Sequence, residues 1–177
     1  MQPDEWAAAL KTYIRSSSKD SVRVCMKHDG SAFYFAFSGK LGSANMLFPE
    51  ILFDPQLKRT TKWIRGQWWF HLSATDCEHN GDYGVYNNCR GMQPDWLGEP
   101  NFKDDGPLRN TVEIKIPFSK IGFDPSVRDT LGLALLVTNT ASVWKIWPAT
   151  ADYNVPNTWG RVTVMKALTT DPANKPE

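Results

Sequence analysis

Short stretches of this chain alternate apolar and polar residues one for one, and this period of two constrains the fold more than any other feature. In residues 111–116 the apolar side chains are Val112, Ile114 and Ile116, which would share one face of a β-strand while the residues between them face outward. Residues 131–138 are apolar at nearly every position, which is typical of a strand buried on both faces. The pattern therefore predicts half-buried strands around a central one.

A strong turn signal joins two of the alternating stretches. Asp29-Gly30 is a favoured β-hairpin turn, and Phe33, Phe35 and Phe37 share one face of the stretch that follows it. These residues predict a β-hairpin whose second strand packs three aromatic rings into a core.

Pro49 lies inside the next predicted strand, residues 47–53. Proline cannot donate a ladder hydrogen bond, so we expect this strand at a sheet edge or with a bulge. Other strands are expected at 68–73, 143–147 and 160–165, helical turns at 4–10 and 117–122, and one long loop at 74–106 with an optional short strand at 83–86. Many short strands with little helix predict an all-β fold, a two-sheet antiparallel β-sandwich of jelly-roll type.

Length and charge exclude several classes of protein. The 177 residues suit one domain, expected at 1–168, followed by a polar tail at 169–177. Twenty Lys and Arg against nineteen Asp and Glu give no excess charge for nucleic acid or an anionic membrane. No apolar run approaches the length of a transmembrane helix, and the first residues lack the basic and apolar regions of a signal peptide. We expect neither a nucleic-acid partner nor membrane insertion.

The three cysteines divide between a strand and a loop. Cys25 lies in an apolar strand and is expected to be a small buried residue. Cys77 and Cys89 lie in a loop rich in Asn, Gly and Asp, and their separation suits a disulfide that closes the loop in an oxidising compartment. The alternative is two exposed thiols in a cytosolic protein.

The stretch 144–160 holds three of the chain's eight tryptophans together with Tyr153, two prolines and two asparagines. Aromatic rings offer a large contact area at a small entropic cost, and a sugar needs such a platform and a few directed hydrogen bonds. The alternative is that the rings pack within the protein, which is the expected role of Trp6, Trp68 and Trp159.

Six segments, in chain order, resemble the family 9 carbohydrate-binding modules and the wider DOMON-like sandwich superfamily. They are DEW, VRVCMKHDGSAFYFAF, PEILFDP, TVEIKIPFSKIGFD, LGLALLVTN and WPATADYNVPNTWGRVTV, and they span nearly the whole chain. No segment is specific alone, but the ordered set is. The resemblance implies a jelly-roll-like sandwich that is usually secreted, hence extracellular or periplasmic, and is often one module beside other domains of a larger protein.

The resemblance also implies a site in which two aromatic rings clamp a terminal sugar and polar side chains bind its hydroxyls. Tyr153 matches the second ring and Glu50 matches the acidic contact. His71 stands where the family has an arginine, and Leu136 where it has a polar amide. The first ring has no tryptophan counterpart, and Phe48 is the nearest aromatic residue.

The candidate ligand-binding residues combine these positions with loop aromatics and polar neighbours. They are Glu50, His71, Trp69, Trp96, Trp144, Tyr153, Asn154 and Asn157. They predict a non-catalytic module that recognises a carbohydrate, a sugar or a glycan end, by aromatic stacking and hydrogen bonds to hydroxyls. The missing first ring and Leu136 favour the alternative, a structural or interaction domain of a larger secreted protein that has no sugar site.

A bound ion or haem is a further alternative. Four polar residues alternate around a glycine as in a calcium loop, although the closing bidentate glutamate is absent; they are Asp76, Glu78, Asn80 and Asp82. A solvated loop without metal is the other reading. DOMON relatives include haem domains, for which Met26, Met46, Met92 and His71 are available as ligands. We expect no required cofactor, with structural calcium as an option that the resemblance implies.

Motifs of a hydrolase nucleophile, a phosphate-binding loop and a zinc protease are all absent from the sequence. Glu50 and Glu113 could form an acid–base pair across the sheets, whereas the alternative places Glu113 on the polar face of its strand. The chain is predicted not to be an enzyme, although the resemblance allows it to be an accessory module of a glycan-active enzyme.

Overall fold

The computed structural model describes residues 4–15, 21–39, 47–72, 77–81, 97–101, 111–139 and 144–165. The strands in these ranges are β1 (Leu10–Arg15), β2 (Ser21–His28), β3 (Ala32–Gly39), β4 (Leu47–Asp54), β5 (Trp68–His71), β6 (Cys77–Asn80), β7 (Leu97–Asn101), β8 (Thr111–Pro117), β9 (Thr130–Asn139), β10 (Trp144–Trp147) and β11 (Gly160–Thr163). Helical structure in the same ranges is limited to α1 (Phe118–Ile121) and short 3-10 helices at Asp4–Trp6 and Pro156–Thr158.

The strands form two antiparallel sheets, which confirms the predicted β-sandwich. The five-stranded sheet has the order β1-β2-β3-β8-β7. The six-stranded sheet has the order β10-β9-β4-β5-β6, and β11 also pairs with β9. Strand β10 pairs with residues 135–138 of β9 and β11 with residues 130–133, so the two short strands pair with successive parts of β9. The central position predicted for β9 is therefore confirmed.

Apolar side chains from both sheets fill the space between them. Phe33, Phe35 and Phe37 of β3 point into this core, as predicted, and so do the alternate apolar residues of β8. The ring of Phe33 lies 5.6 Å from that of Phe53 on β4, which joins the two sheets across the core. Burial of these rings provides the main stabilisation, because aromatic side chains remove large apolar areas from water.

The β2–β3 hairpin is held by Asp29, the first residue of its turn. Its Oδ1 accepts hydrogen bonds from the backbone N–H groups of Ser31 and Ala32 at 2.8 and 2.9 Å, and its Oδ2 accepts one from the Tyr34 hydroxyl at 2.6 Å. The Tyr34 hydroxyl, more than any other group, holds the pKa of Asp29 well below its usual range. Asp29 therefore remains an anion that fixes the turn.

The helical turn expected after β8 is present as α1 and ends at Gly122. Gly122 adopts φ 66°, and its N–H donates to the carbonyls of Phe118 and Ser119, as is common for glycine at the end of a helix. Lys120 of α1 lies 2.8 Å from the carboxylate of Glu78 on β6, so an ion pair joins this turn to the six-stranded sheet.

The position predicted for the strand containing Pro49 is wrong. Strand β4 pairs continuously with β9 on one side and with β5 on the other, so it is an interior strand. The Pro49 carbonyl accepts a hydrogen bond from Leu72, which lies just beyond the end of β5. Since the N–H and C=O of a strand residue point to the same neighbour, the donor that proline lacks falls at the end of the β4–β5 ladder. An interior strand tolerates the proline there.

The region predicted as one long loop contains two strands, so that prediction is wrong for β6 and β7. Each is short, polar and at the end of its sheet, where backbone hydrogen bonds to a single neighbour suffice. Gly81 follows β6 with φ 62°, and a Cβ there would overlap the carbonyl oxygen of Ile64 and the Cα of Arg65. Glycine thus permits the close approach of β6 to the β4–β5 connection. The optional strand at 83–86 lies outside the described residues.

Two predicted core residues are confirmed on the outer side of the five-stranded sheet. Trp6 and Cys25 are buried together against Ala36, with Trp6 3% exposed and Cys25 1% exposed.

Within the ranges that the structure describes, no helix is long and apolar enough to cross a bilayer.

Candidate functional site

The outer face of the six-stranded sheet gathers several of the predicted site residues. Because side chains alternate along a strand, the packing of Ile51 and Phe53 into the core turns Glu50 of β4 to the outer face. Its cross-strand neighbours are His71 on β5 and Leu136 on β9. The three positions that the family resemblance singles out on different strands are therefore adjacent in one row.

Glu50 is a buried carboxylate with two nitrogen neighbours. The side chain is 2% exposed. Its Oε2 accepts a hydrogen bond of 2.7 Å from Trp69 Nε1, and its Oε1 lies 3.1 Å from His71 Nδ1. A buried carboxylate is tolerated when it accepts such a hydrogen bond and has an imidazole nitrogen beside it. Glu50 is consequently fixed in position by its neighbours.

Trp69 lies at the centre of an aromatic cluster, which we define as Trp63, Trp69, Tyr153 and Trp159. The Trp69 ring is stacked on Trp63 at 6.2 Å and 29°, and it lies 6.3 Å from the Tyr153 ring. Trp159 meets Trp63 edge to face at 4.9 Å. Trp159 is buried, whereas the other three rings are partly exposed. Three half-buried rings therefore lie together on the outer face, and one of them, Trp69, donates a hydrogen bond to Glu50.

His79 of β6 extends the face beyond Trp69. The two rings lie 5.4 Å apart, as expected for cross-strand neighbours on β5 and β6. Burial lowers the pKa of His79, and the charge of a protonated His71 lowers it further. We therefore expect a neutral imidazole at neutral pH, which can both donate and accept hydrogen bonds.

The loop from residue 149 to residue 159 carries Tyr153 above this face. Trp63 Nε1 donates to the Tyr153 carbonyl at 3.1 Å, and Trp159 Nε1 donates to the Asp152 carbonyl at 3.0 Å. The Thr158 hydroxyl accepts from the Asp152 N–H at 2.8 Å, which closes the loop on itself. The loop is compact, and the aromatic cluster supports it from below.

Two solved structures are similar to the chain over nearly its whole length. One is a family 9 carbohydrate-binding module from Caldicellulosiruptor kristjanssonii in complex with cellotriose, with a TM-score of 0.68 and 14% identity, covering 98% of this chain and 90% of that one. The other is a family 9 module from the same organism in complex with glucose, with a TM-score of 0.65 and 14% identity, covering 96% and 91%. The chain has the fold of the family 9 carbohydrate-binding modules.

The family 9 fold confirms, at the level of the fold, the resemblance found in the sequence. No protein-family model matches the chain. No curated protein sequence matches it either. The likeness is therefore one of structure at low sequence identity, and the site must be judged from its own residues.

The structure assembles only part of the predicted ligand-binding set. Asn154 is exposed in the loop and its N–H donates to Asp152 Oδ1, while Asn157 is half-buried and its N–H donates to the Thr60 carbonyl. Trp96 and the side chain of Trp144 lie outside the described residues. The roles of all these residues as ligand contacts stay predictions.

The residues considered for the alternative sites do not lie close together in the described part of the structure. Glu113 lies on the outer face of the five-stranded sheet, as the polar-face interpretation expected, so the whole core separates it from Glu50 and the two do not form an acid–base pair. Met26 packs into the core, whereas His71 faces outward, so the six-stranded sheet separates these two candidate haem ligands. Met46 and Met92 lie outside the described residues.

The calcium loop and the disulfide fall mostly outside the described residues. Asp76, Asp82 and Cys89 are not described, and of Cys77 only the backbone is, as part of β6. Glu78 forms an ion pair with Lys120. Among the described residues no group of three or more His, Cys, Asp or Glu side chains is placed to hold a metal.

Trp63 is the main site residue that the sequence did not reveal. It lies in the polar connection between β4 and β5, where no periodicity marks it as buried or exposed. The available signal was a single tryptophan among charged residues, in KRTTKWIRGQ. Phe48, which the resemblance placed nearest to the first ring, lies on the same strand face as Glu50, two residues away, and is half-buried.

Proposed function

We propose that the chain is a non-catalytic carbohydrate-binding module whose ligand binds on the outer face of the six-stranded sheet. The observation that carries this proposal is the group of three half-buried rings on this face, one of which, Trp69, holds the buried Glu50 carboxylate in place. Sugars are bound in proteins by aromatic rings that meet their C–H faces and by directed polar groups that bind their hydroxyls. Two neighbours of the same fold were solved with bound saccharides, which supports the same class of ligand.

Tyr153 and Trp63 are the proposed platforms. Both rings are partly exposed beside Trp69, and the Trp63 indole N–H holds the Tyr153 carbonyl, so their relative position is fixed. Trp69 is less suited to direct stacking because Trp63 and His79 both pack against its ring. The proposed hydroxyl contact is the imidazole of His71, whose side chain is 16% exposed, while Glu50, 2% exposed, lies 3.1 Å from that imidazole and supports it from within.

Titration with cellotriose and glucose, followed by tryptophan fluorescence and by calorimetry, tests this proposal, with a glycan array to widen the search. Tyr153→Ala should weaken binding about tenfold or more, equivalent to about 1.4 kcal/mol. Tyr13→Ala is the matched control, because Tyr13 is 48% exposed on the five-stranded sheet. Absence of binding across the array, or an equal effect of both substitutions, would contradict the proposal.

The alternative is a structural or interaction domain without a sugar site. Two observations favour it. Both Glu50 oxygens already have neighbours within the protein, and the surface beneath the rings is apolar, with Leu52 and Leu136 buried there. The same array decides between the two functions. A folded protein that binds no saccharide would support the interaction domain.

A further inference from the structure

Two connections meet beside the aromatic cluster: residues 55–67, between β4 and β5, and residues 149–159, between β10 and β11. Four side-chain or backbone donors cross between them, from Arg59 twice, from Trp63 once and from Asn157 once. We call these four hydrogen bonds the clasp. Their number is high for two irregular segments, and it shows that each connection depends on the other for its shape.

The clasp begins at Asp54, the last residue of β4. Asp54 is 1% exposed, and its Oδ2 accepts the backbone N–H of Arg59 at 2.7 Å. Leu57 and Arg59 both adopt left-handed backbone conformations, with φ 50° and 49°. Such conformations are unfavourable for non-glycine residues and persist only where surrounding contacts enforce them. The hydrogen bond from Arg59 to Asp54 is one such contact in this turn.

The Arg59 guanidinium reaches the far end of the other connection. It donates from Nη1 to the Trp159 carbonyl at 3.1 Å and from Nη2 to the Asn157 carbonyl. The planar fork of arginine suits two acceptors at once, and its delocalised charge is less costly to bury than an ammonium. The Asn157 N–H returns a bond to the Thr60 carbonyl at 2.9 Å, so residues 157–159 are anchored from both directions.

We propose that Arg59 is a positioning residue that holds residues 149–159, and with them Tyr153, over the Glu50 face. Trp63 fixes the Tyr153 carbonyl near the middle of the loop, and Arg59 fixes the carbonyls of Asn157 and Trp159 at its end. The predicted effect of Arg59 on ligand affinity rests on the proposed function, whereas its predicted effect on the loop does not. A loop that is ordered before binding lowers the entropic cost of binding, because fewer groups must be immobilised when the ligand binds.

Amide hydrogen exchange on the ligand-free protein tests the loop directly. In Arg59→Met, the amides of residues 152–159 should exchange about tenfold faster or more, while the amides of β9 keep their protection. Arg65→Met is the matched control, because Arg65 is an exposed residue of the same connection. Unchanged exchange in the loop overturns the proposal, and so does an equal rise in β9, which would show global destabilisation instead of loss of positioning.

Calorimetric titration with cellotriose supplies the second readout. Arg59→Met should bind about tenfold more weakly with a less favourable entropy, Arg59→Lys should recover part of the loss, and Arg65→Met should match the wild type. Equal affinity of Arg59→Met and the wild type overturns the effect on binding. If the wild type binds no saccharide, the proposed function fails, and the exchange experiment still decides whether Arg59 positions Tyr153.

Discussion

The hydrogen bond between Trp69 and Glu50 allows a quantitative test of how the site is built. Trp69→Phe keeps an aromatic ring beside Trp63 but removes the Nε1–H that donates to Glu50 Oε2 at 2.7 Å. Glu50 is 2% exposed, so water cannot easily replace that donor. A hydrogen bond to a charged group contributes about 1.5–3 kcal/mol. Because Trp69 is itself half-buried, we expect the lower end of that range, about 1.5 kcal/mol, for the bond alone.

A double-mutant cycle separates the contribution of this hydrogen bond from the loss of stability that the smaller phenylalanine ring causes by burying less area. The four proteins are the wild type, Trp69→Phe, Glu50→Met and the double mutant, and the coupling energy is the part of the two losses that is not additive. Urea unfolding should be followed by far-ultraviolet circular dichroism, since the substitution changes the tryptophan fluorescence. With a slope of about 2 kcal/mol/M, a coupling of about 1.5 kcal/mol corresponds to a midpoint difference of about 0.75 M. A coupling below about 0.5 kcal/mol would contradict this prediction, because the hydrogen bond from the indole to Glu50 would then add almost nothing to the stability of the fold.

Two further predictions concern the scaffold. The Tyr34 hydroxyl lowers the pKa of Asp29 in the fold, so the ionised carboxylate stabilises the protein above about pH 4, and this contribution falls as the pH drops toward the folded-state pKa. Asp29→Asn should therefore cost more stability at pH 7 than at pH 3 in urea unfolding, and an equal cost at both would argue against the Asp29 assignment. Gly81→Ala should cost at least about 3 kcal/mol because its Cβ would overlap the Ile64 carbonyl, whereas Gly122→Ala, with a similar φ but open space, should cost about 1 kcal/mol. Similar thermal midpoints for these two variants would show that the backbone around Gly81 relaxes freely.

The sequence was sufficient for those parts of the fold that local chemistry dictates. Alternation identified the core faces of β3 and β8, and Asp29-Gly30 identified the hairpin. It was insufficient for β6 and β7, because polar edge strands have no alternation and form only when a neighbouring strand offers its backbone. The prediction from Pro49 was wrong for a related reason. Whether a proline disrupts an interior strand depends on where the ladder with β5 ends, and that is a property of the partner strand.

The candidate site could be predicted from the sequence only where a strand carries it. The register of β4 with β5 and β9 places Glu50, His71 and Leu136 side by side, and the family resemblance had singled out those positions. Trp63 could not be found in this way, because its place beside Trp69 is set by the path of an irregular connection. The path in turn depends on Arg59, whose partners lie about a hundred residues further along the chain.

Strand β4 carries both Glu50 and Asp54 on its outer face. Glu50 binds Trp69 and Asp54 binds the backbone of Arg59, and four residues of strand place the two positions about 13 Å apart. A register slip of one residue would turn both side chains into the core together. Engineering of the proposed sugar site is therefore constrained at β4. Substitutions are best made at exposed loop positions such as Thr150 and Asn154, whose side chains face solvent. Strand β4 is kept unchanged, because the positions of Glu50 and Asp54 along it set the positions of their partners.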